Sequence, residues 1–398
     1  MFHTLSPFSA TFERFFNSEK SSGILVLLFT LVALSIANSS FGEPFLHFWH
    51  LQILGMSIEK WVNDGLMAIF FLFIGLELER ELYSGELSDF KSALLPIFAA
   101  AGGIALPALI HFSLNMGRPT QVGMGIPMAT DIAFALGVLA LLGNRVPLSL
   151  KIFLTALAVM DDLGAIIVIA VFYTANLSTA YLTAAIGVFT LMLFMNRALR
   201  IIALLPYLFG GVVMWYLMLK SGVHATIAGV MLAFAIPYSV KQDDAQSPSH
   251  MLEHLLHKPV AFLILPIFAL ANTGIVIGSS WLQDLSSTNS LGILMGLVIG
   301  KPLGITLVAF IAVLFGVCRL PADMNWKHVF GAGLLGGIGF TMSIFITNLA
   351  FTGDVALINA SKIAILLASM SAGSVGFLWL IGFGGGYSKP RAVINFWL

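Results

Sequence analysis

Charge is what this chain has least of. Only 10% of its 398 residues are Asp, Glu, Lys or Arg, against roughly 25% in soluble domains. That scarcity excludes an ordinary soluble protein, a disordered chain and a coiled coil. Neither sign is in excess: 19 basic and 19 acidic residues leave a formal net charge of +0. No basic tail suits nucleic acid. A single cysteine, Cys318, excludes an internal disulfide and a cysteine-based metal site. What fills the chain is apolar: 59% of it is hydrophobic, 38 glycines come on top, and the mean hydropathy is +0.97. An outer-membrane barrel alternates polar and apolar residues and would have a low mean hydropathy. A polytopic helical membrane protein remains.

One membrane-crossing helix needs about 20 apolar residues. Apolar runs fall near 23–38, 59–83, 93–114, 122–143, 150–175, 181–195, 201–218, 222–237, 259–278, 291–317, 329–351 and 358–382. That predicts an all-α polytopic membrane protein of about 12 transmembrane helices. Glu13, Arg14, Glu19 and Lys20 precede the first run, which reads as an uncleaved span rather than a signal peptide. The seventh and eighth runs are parted only by Lys220 and Ser221. The longest gaps, 39–58 and 238–258, leave no room for a soluble domain, so 1–398 is a single integral membrane domain. With the N-terminus in the cytoplasm, fourteen of the 19 Lys and Arg fall on the cytoplasmic side. Lys60, Arg118 and Lys220 fall on the other, and Lys301 and Lys362 lie inside runs. This positive-inside bias puts both termini in the cytoplasm.

Two runs are poor helices. The fourth holds Gly123, Gly125 and Pro127 just before Thr130 and Asp131; the eleventh holds Gly331, Gly333, Gly336, Gly337 and Gly339. Gly costs about 1 kcal/mol per helix position relative to Ala, and Pro about 3. Glycine also serves close helix packing in membranes, which is the plainer reading of the eleventh run. Each run, however, is the middle of three consecutive spans, and the two triplets enter the membrane from opposite sides. Residues of about 93–175 and about 290–382 are therefore expected to be inverted-topology repeats, with the fourth and eleventh helices broken and crossing. Paired Gly/Pro-interrupted segments in corresponding places point to a transporter site at the midplane.

Ionisable groups inside a span cost at least about 2.5–3.5 kcal/mol at its centre. Asp131, Asp161, Asp162 and Lys301 are the interior set; Asp64, Glu77 and Lys362 lie nearer the edges of their runs. Asp161 and Asp162 are adjacent in LALAVMDDLGAIIVIAV. Two buried carboxylates so close repel each other and titrate as a unit. A hard cation such as Na+ relieves that repulsion, and so do protons. One site that accepts either is the minimum hardware of an antiporter. Lys301, in LVIGKPLGI, can neutralise Asp161 or the negative C-terminal ends of broken helices, and Asp131 their positive N-terminal ends. Pro302 is expected to kink the helix beside Lys301.

The segment HMLEHLLH, His250 to His257, lies at the cytoplasmic mouth of the ninth run. It contains the H-x-x-E-H zinc pattern, but no third ligand is evident. His250, His254 and His257 share a helical face beside Glu253, which suits a pH-sensing mouth or a solvated His-rich loop. His224 is expected to hydrogen-bond within the bundle.

The stretches NDGLMAIFFLFIGLELERE, IPMATDIAFALGVLALLGNRVPLSLKIFLTALAVMDDLGA, KSGVHATIAG, LEHLLH, ILPIFALANTGI, IGKPLGI and GIGFTMSIFI cover nearly all spans in order. In them the chain closely resembles the bacterial NhaA family of Na+/H+ antiporters, an inverted-repeat family. The resemblance implies that Asp161 and Asp162 bind the transported Na+ and protons, and that Lys301 pairs with Asp161. It implies that Thr130 and Asp131 sit where two broken helices cross. It assigns Glu77, Arg80, Glu81, Glu253, His254 and His257 to a cytoplasmic pH-response cluster, and the 39–58 loop to an external hairpin joining two protomers. Glu79, His250 and Met251 depart from the family's pattern, which has basic residues there.

The expected function is therefore secondary active, electrogenic, pH-regulated export of Na+, and of Li+, in exchange for H+, with no cofactor and no catalytic chemistry. The setting is the bacterial inner membrane. An exchanger preferring another cation such as K+, an intramembrane aspartyl protease and a passive channel are the alternatives. The protease would need its two aspartates on different helices and a GxGD signature, which is absent.

Overall fold

The computed structural model describes residues 19–85, 88–174, 177–239, 247–279 and 281–384. The two termini, expected in the cytoplasm, lie outside the described residues. A chain in lipid has no water to satisfy its backbone, so helices are the natural solution for long apolar runs. In order they are α1 (Glu19–Ala37), α2 (Gly42–His50), α3 (Ile58–Tyr83), α4 (Phe90–Asn115), α5 (Ile132–Leu142), α6 (Leu148–Phe172), α7 (Thr179–Arg197), α8 (Leu204–Ser221), α9 (Ile227–Ala235), α10 (Pro248–Asn272), α11 (Trp281–Leu285), α12 (Thr288–Leu314), α13 (Trp326–Gly336), α14 (Phe340–Ala350) and α15 (Val355–Phe383).

Among the described residues, nine helices are long and apolar enough to cross a membrane, or up to eleven if two bent pairs each count as one span. The expected twelve is not reached. The shortfall is the eighth run, which contains only the nine-residue α9. Gly222 breaks the chain before it in a left-handed conformation (φ 85°), and Pro237 follows it.

The two glycine-rich runs are interrupted. The fourth is a 3₁₀ segment, Pro119–Met128, then extended backbone at Ala129, then α5, with Asp131 as its N-cap. Tyr173 supports the 3₁₀ piece, donating to the Val122 carbonyl at 2.7 Å and accepting from the Gly125 amide at 3.3 Å. The eleventh run is α13 and α14, bent by 48° at the break. The two interruptions touch: the Asp131 amide donates to the Ile338 carbonyl at 2.6 Å, and the Ser343 hydroxyl to the Ile126 carbonyl at 2.7 Å.

Helices α4 and α12 cross against each other at Gly102 and Gly304, where a Cβ on either would fall on the other's carbonyl. Small residues let the backbones approach in this way. A π-helical turn, Gly296–Gly300, directly precedes Lys301 in α12. Its wider i→i+5 turn accommodates the backbone before Pro302, which has no N–H to donate, so the disturbance expected at Pro302 takes the form of a bulge. One large apolar core involves α4, α5, α6 and α12–α15 together with one face of α3 and α10. A second lies among α7, α8, α9 and the other face of α3.

The 39–58 segment holds α2 and a two-stranded antiparallel hairpin, with Gln52 opposite Ser57 and Ile53 opposite Met56. Leu54 and Gly55 turn the chain with positive φ (52° and 81°), the backbone of a tight two-residue hairpin. Leu54 is 89% exposed.

Candidate ion-binding site

Asp161 and Asp162 lie midway along α6, and both are buried. Successive residues on a helix point about 100° apart, so the two carboxylates meet different surroundings. Asp161 faces α12 and the first interruption. Its Oδ2 is 2.7 Å from Lys301 Nζ and 2.6 Å from the Thr130 hydroxyl. Thr130 is also 2.9 Å from the Gly336 carbonyl, so its one proton can serve the carboxylate or the end of α13. Asp161 Oδ1 has no hydrogen-bond partner. Asp162 goes further: both of its carboxylate oxygens are buried with no hydrogen-bond partner.

Lys301 is fully buried. Besides Asp161 it donates to the Met128 carbonyl, at the end of the 3₁₀ segment. Its Cγ also lies beside Gly336, the last residue of α13. The lysine thus pairs with Asp161 and sits among carbonyl-bearing helix ends. Asp131 is its counterpart. Its Oδ1 accepts from the Phe134 amide at 3.2 Å, capping α5. Its Oδ2 accepts from the amide and the hydroxyl of Thr341 in the first turn of α14, at 2.9 and 2.5 Å. One carboxylate thus serves two helix N-termini, where the dipole favours negative charge.

Three carboxylate oxygens remain uncoordinated here, two on Asp162 and one on Asp161. An ion held in such a buried place carries an effective desolvation penalty of several kcal/mol, by order of magnitude. A small hard cation bound by oxygen, or protons, would remove that penalty. Thr341 and the Met128 carbonyl are parts of the site that sequence reasoning missed. Thr341 follows the glycine break at the start of α14, and its position there is the one signal available.

At the far end of α3, Arg80 gathers acids. It lies 3.7 Å from Glu77, 3.1 Å from Glu81 and 3.2 Å from Glu253 on α10. His250 completes the group, 3.6 Å from Glu253. That ion pair takes up the His and Glu of the zinc pattern. His254 and His257 are exposed on the same helix, and the His257 ring packs edge-on against Phe73 at 5.8 Å. Glu79, noted only as a departure in sequence, is buried and accepts from the Ser249 hydroxyl at 3.0 Å. An acid among three charged neighbours, Glu77, Arg80 and Glu81, reads as solvated, which is why the sequence hid it. His224 Nε2 meets the Tyr173 carbonyl at 2.9 Å, as a bundle hydrogen bond. The Asp64 carbonyl accepts from Trp215 at 2.8 Å, and Lys362 is buried on α15.

Comparison with known proteins places the chain in a family. The Na+/H+ antiporter 1 family matches residues 13–380. The Na(+)/H(+) antiporter NhaA of Dechloromonas aromatica (strain RCB) is 69% identical over 383 residues, covering 96% of this chain and 98% of its own length. Those of Flavobacterium psychrophilum and Cytophaga hutchinsonii are each 59% identical over 369 residues, covering 93% of this chain and 95% and 94% of their own. A match of this extent spans nearly the whole chain, which is a multi-pass membrane protein belonging to the Na+/H+ antiporter 1 family.

Proposed function

We propose that the protein is a secondary antiporter that exports Na+, and Li+, in exchange for H+ at Asp161 and Asp162. The observation that carries this reading is Asp162: a carboxylate with both oxygens buried and unpartnered, beside a Lys301–Asp161 pair. Such a group is stable when it holds a cation or a proton and costly when it holds neither. The relatives bear the name Na(+)/H(+) antiporter, which supports the same choice of ions.

The cycle follows from competition for one set of oxygens. In the sodium-bearing state Asp162 and the free Oδ1 of Asp161 supply negative oxygens to the ion. Protons arriving at the same carboxylates displace it. Lys301 holds Asp161 in place and balances its charge. Thr130 and Asp131 keep the two interruptions together while the ion changes sides. A cavity of about 260 Å³, lined by Glu81, Lys151, Thr155 and Ala156 among others, supports entry from the cytoplasmic end. Ala156 is six residues before Asp162 on α6, about 9 Å along the helix.

The wider reading includes twelve spans, α9 counting as a short one. It includes repeats at about 93–175 and 290–382 whose broken helices cross, both termini in the cytoplasm, and the bacterial inner membrane. Contact between the two interruptions and the excess of cytoplasmic Lys and Arg support it. The Arg80–Glu253 cluster serves as the pH-response element. Glu253→Gln should move the pH profile of exchange while the maximal rate survives. The exposed hairpin around Leu54 joins two protomers in this reading, since solitary strand edges invite pairing with a second copy.

The decisive experiment reconstitutes the purified protein into liposomes with an imposed pH gradient. Adding Na+ should dissipate the gradient, and Li+ should do the same. No response to either ion overturns the reading; a response to K+ alone reassigns the cargo.

A further inference from the structure

Between the ion site and the outer ends of α3, α10 and α14, opposite the Arg80 end of α3, two layers of side chains from those same three helices meet. The inner layer is aromatic. Phe345 of α14 packs on Phe71 of α3 (ring centres 5.5 Å apart) and on Phe268 of α10 (6.4 Å). All three are almost fully buried. The outer layer is made of amides. Asn348 of α14 donates to the Asn272 side-chain oxygen at 2.6 Å, and Asn272 of α10 donates to Asn63 of α3 at 2.9 Å. Asn348 is three residues beyond Phe345 and Asn272 four beyond Phe268, so each pair stands one above the other on its helix face. Asn63 precedes Phe71 on α3, which runs in the opposite direction on the positive-inside topology.

The helices on the two sides of this seam have different neighbours. On their other faces α3 and α10 pack with the group containing α7, α8 and α9. Helix α14 begins at the break that carries Thr341 and Asp131. Asn272 is buried and also donates to the Phe268 carbonyl at 2.9 Å, while Asn63 and Asn348 are half-buried at the edge of the seam. An amide–amide bond in such a largely apolar place costs little to keep and is costly to leave unmade. Three aromatic rings in a row exclude water from the same seam. An antiporter with one site must open that site to each side in turn, by motion of one bundle against another. In this structure the cavity beside Glu81 and Lys151 is at the opposite end.

We propose that Phe71, Phe268 and Phe345, with Asn63, Asn272 and Asn348 above them, are the outer gate of the transporter. The Asn272–Asn348 bond must break once in every cycle to admit the outside solution. This rests on the antiport reading and its orientation, and goes beyond it by naming the seam that moves.

The test uses the full-length protein with Cys318→Ser, Asn272→Cys and Asn348→Cys, bridged across the seam by a short, reducible bifunctional thiol reagent. Unbridged, it should exchange Na+ for H+ in liposomes. Bridged, exchange should fall at least tenfold and return when the bridge is reduced. Bridged protein that exchanges at the unbridged rate overturns the gate, because the seam then stays shut through the cycle. Parent protein carrying only Cys318→Ser that shows no Na+-driven proton movement overturns the antiport reading instead. A second variant, Asn348→Ala, removes the donor without any cross-link. It should shift the resting population toward the outward-open state. In oriented membrane vesicles KM for Na+ at the outer face should then fall several-fold while KM at the inner face rises. A merely structural bond would not split the two KM values in opposite directions, and unchanged values at both faces overturn the proposal.

Discussion

Thr341 donates both its amide and its hydroxyl to one oxygen of Asp131, across 210 positions of sequence. The other Asp131 oxygen caps α5. A single carboxylate therefore fastens the start of one half-helix to the start of another, and the Lys301–Asp161 pair lies on the other side of the same contact. Around the paired aspartates of α6, the supporting groups Thr130, Asp131, Thr341 and the Met128 carbonyl come from helix ends, which is where unsatisfied backbone dipoles can be matched by single charges.

Thr341→Val keeps the shape and the backbone amide but removes one hydrogen bond to a charged acceptor. Such bonds contribute about 1.5–3 kcal/mol. Thermal unfolding in detergent should occur several degrees lower than in the unsubstituted protein, and Thr341→Ser should restore most of the loss. Equal melting of Thr341→Val and the parent would mean that the Asp131 tie does not hold the two half-helices together.

Lys301→Ala leaves Asp161 and the Met128 carbonyl without their cation in an apolar place. Removing one partner of a buried pair costs about 3–5 kcal/mol. Asp161→Asn alone leaves a buried ammonium and should cost a similar amount. The double variant leaves neither charge, and its loss of stability should be well below the sum of the single losses. A double-mutant cycle read by unfolding midpoints checks this. Strict additivity would show that the 2.7 Å contact carries no coupling.

Asp162→Asn is expected to behave in the opposite way toward stability. Neither Asp162 oxygen has a hydrogen bond to lose, and the ionisable group disappears with its desolvation cost. The variant should melt at or above the parent's temperature while Na+-driven proton movement is abolished. Exchange at the parent's rate by the folded variant would remove Asp162 from the mechanism.

Much of this site is legible in the chain itself, for a physical reason. Asp161, Asp162 and Lys301 are charges in apolar runs, and the cost of that placement makes them conspicuous. Asp131 is betrayed by the Gly and Pro before it, because they deny it a helix. Thr341 is not legible: a hydroxyl in a membrane helix commonly bonds its own backbone, and only the fold brings Asp131 to it. The Phe71–Phe268–Phe345 contact is hidden for a different reason, since aromatic residues at helical spacing look like any core. The span count slips at 222–237 because mean hydropathy cannot see that a left-handed Gly222 and a Pro237 cut the helix to nine residues. Glu79 is passed over since neighbours of both signs make its stretch look wet, whereas its carboxylate turns inward to Ser249.

Exchange should be electrogenic, with more than one proton entering for each Na+ that leaves. The count follows from charge balance at one site. The outward-going state holds one Na+ with Asp161 and Asp162 ionised and Lys301 paired to Asp161. The returning state carries no metal ion, and bare buried carboxylates cannot cross a low-dielectric interior cheaply. If both aspartates take up a proton, two positive charges move inward for one moving outward. An inside-negative potential then helps to expel sodium, at about 2.3 kcal/mol per net charge per 100 mV. Sodium export could therefore continue against an inverted pH gradient. Liposomes clamped with K+ and valinomycin at several potentials, with no pH gradient, give the measurement. Sodium flux should rise as the potential on the sodium-loaded side is made more negative. Flux indifferent to the potential would establish one-for-one exchange, and with it a single proton carrier at Asp162.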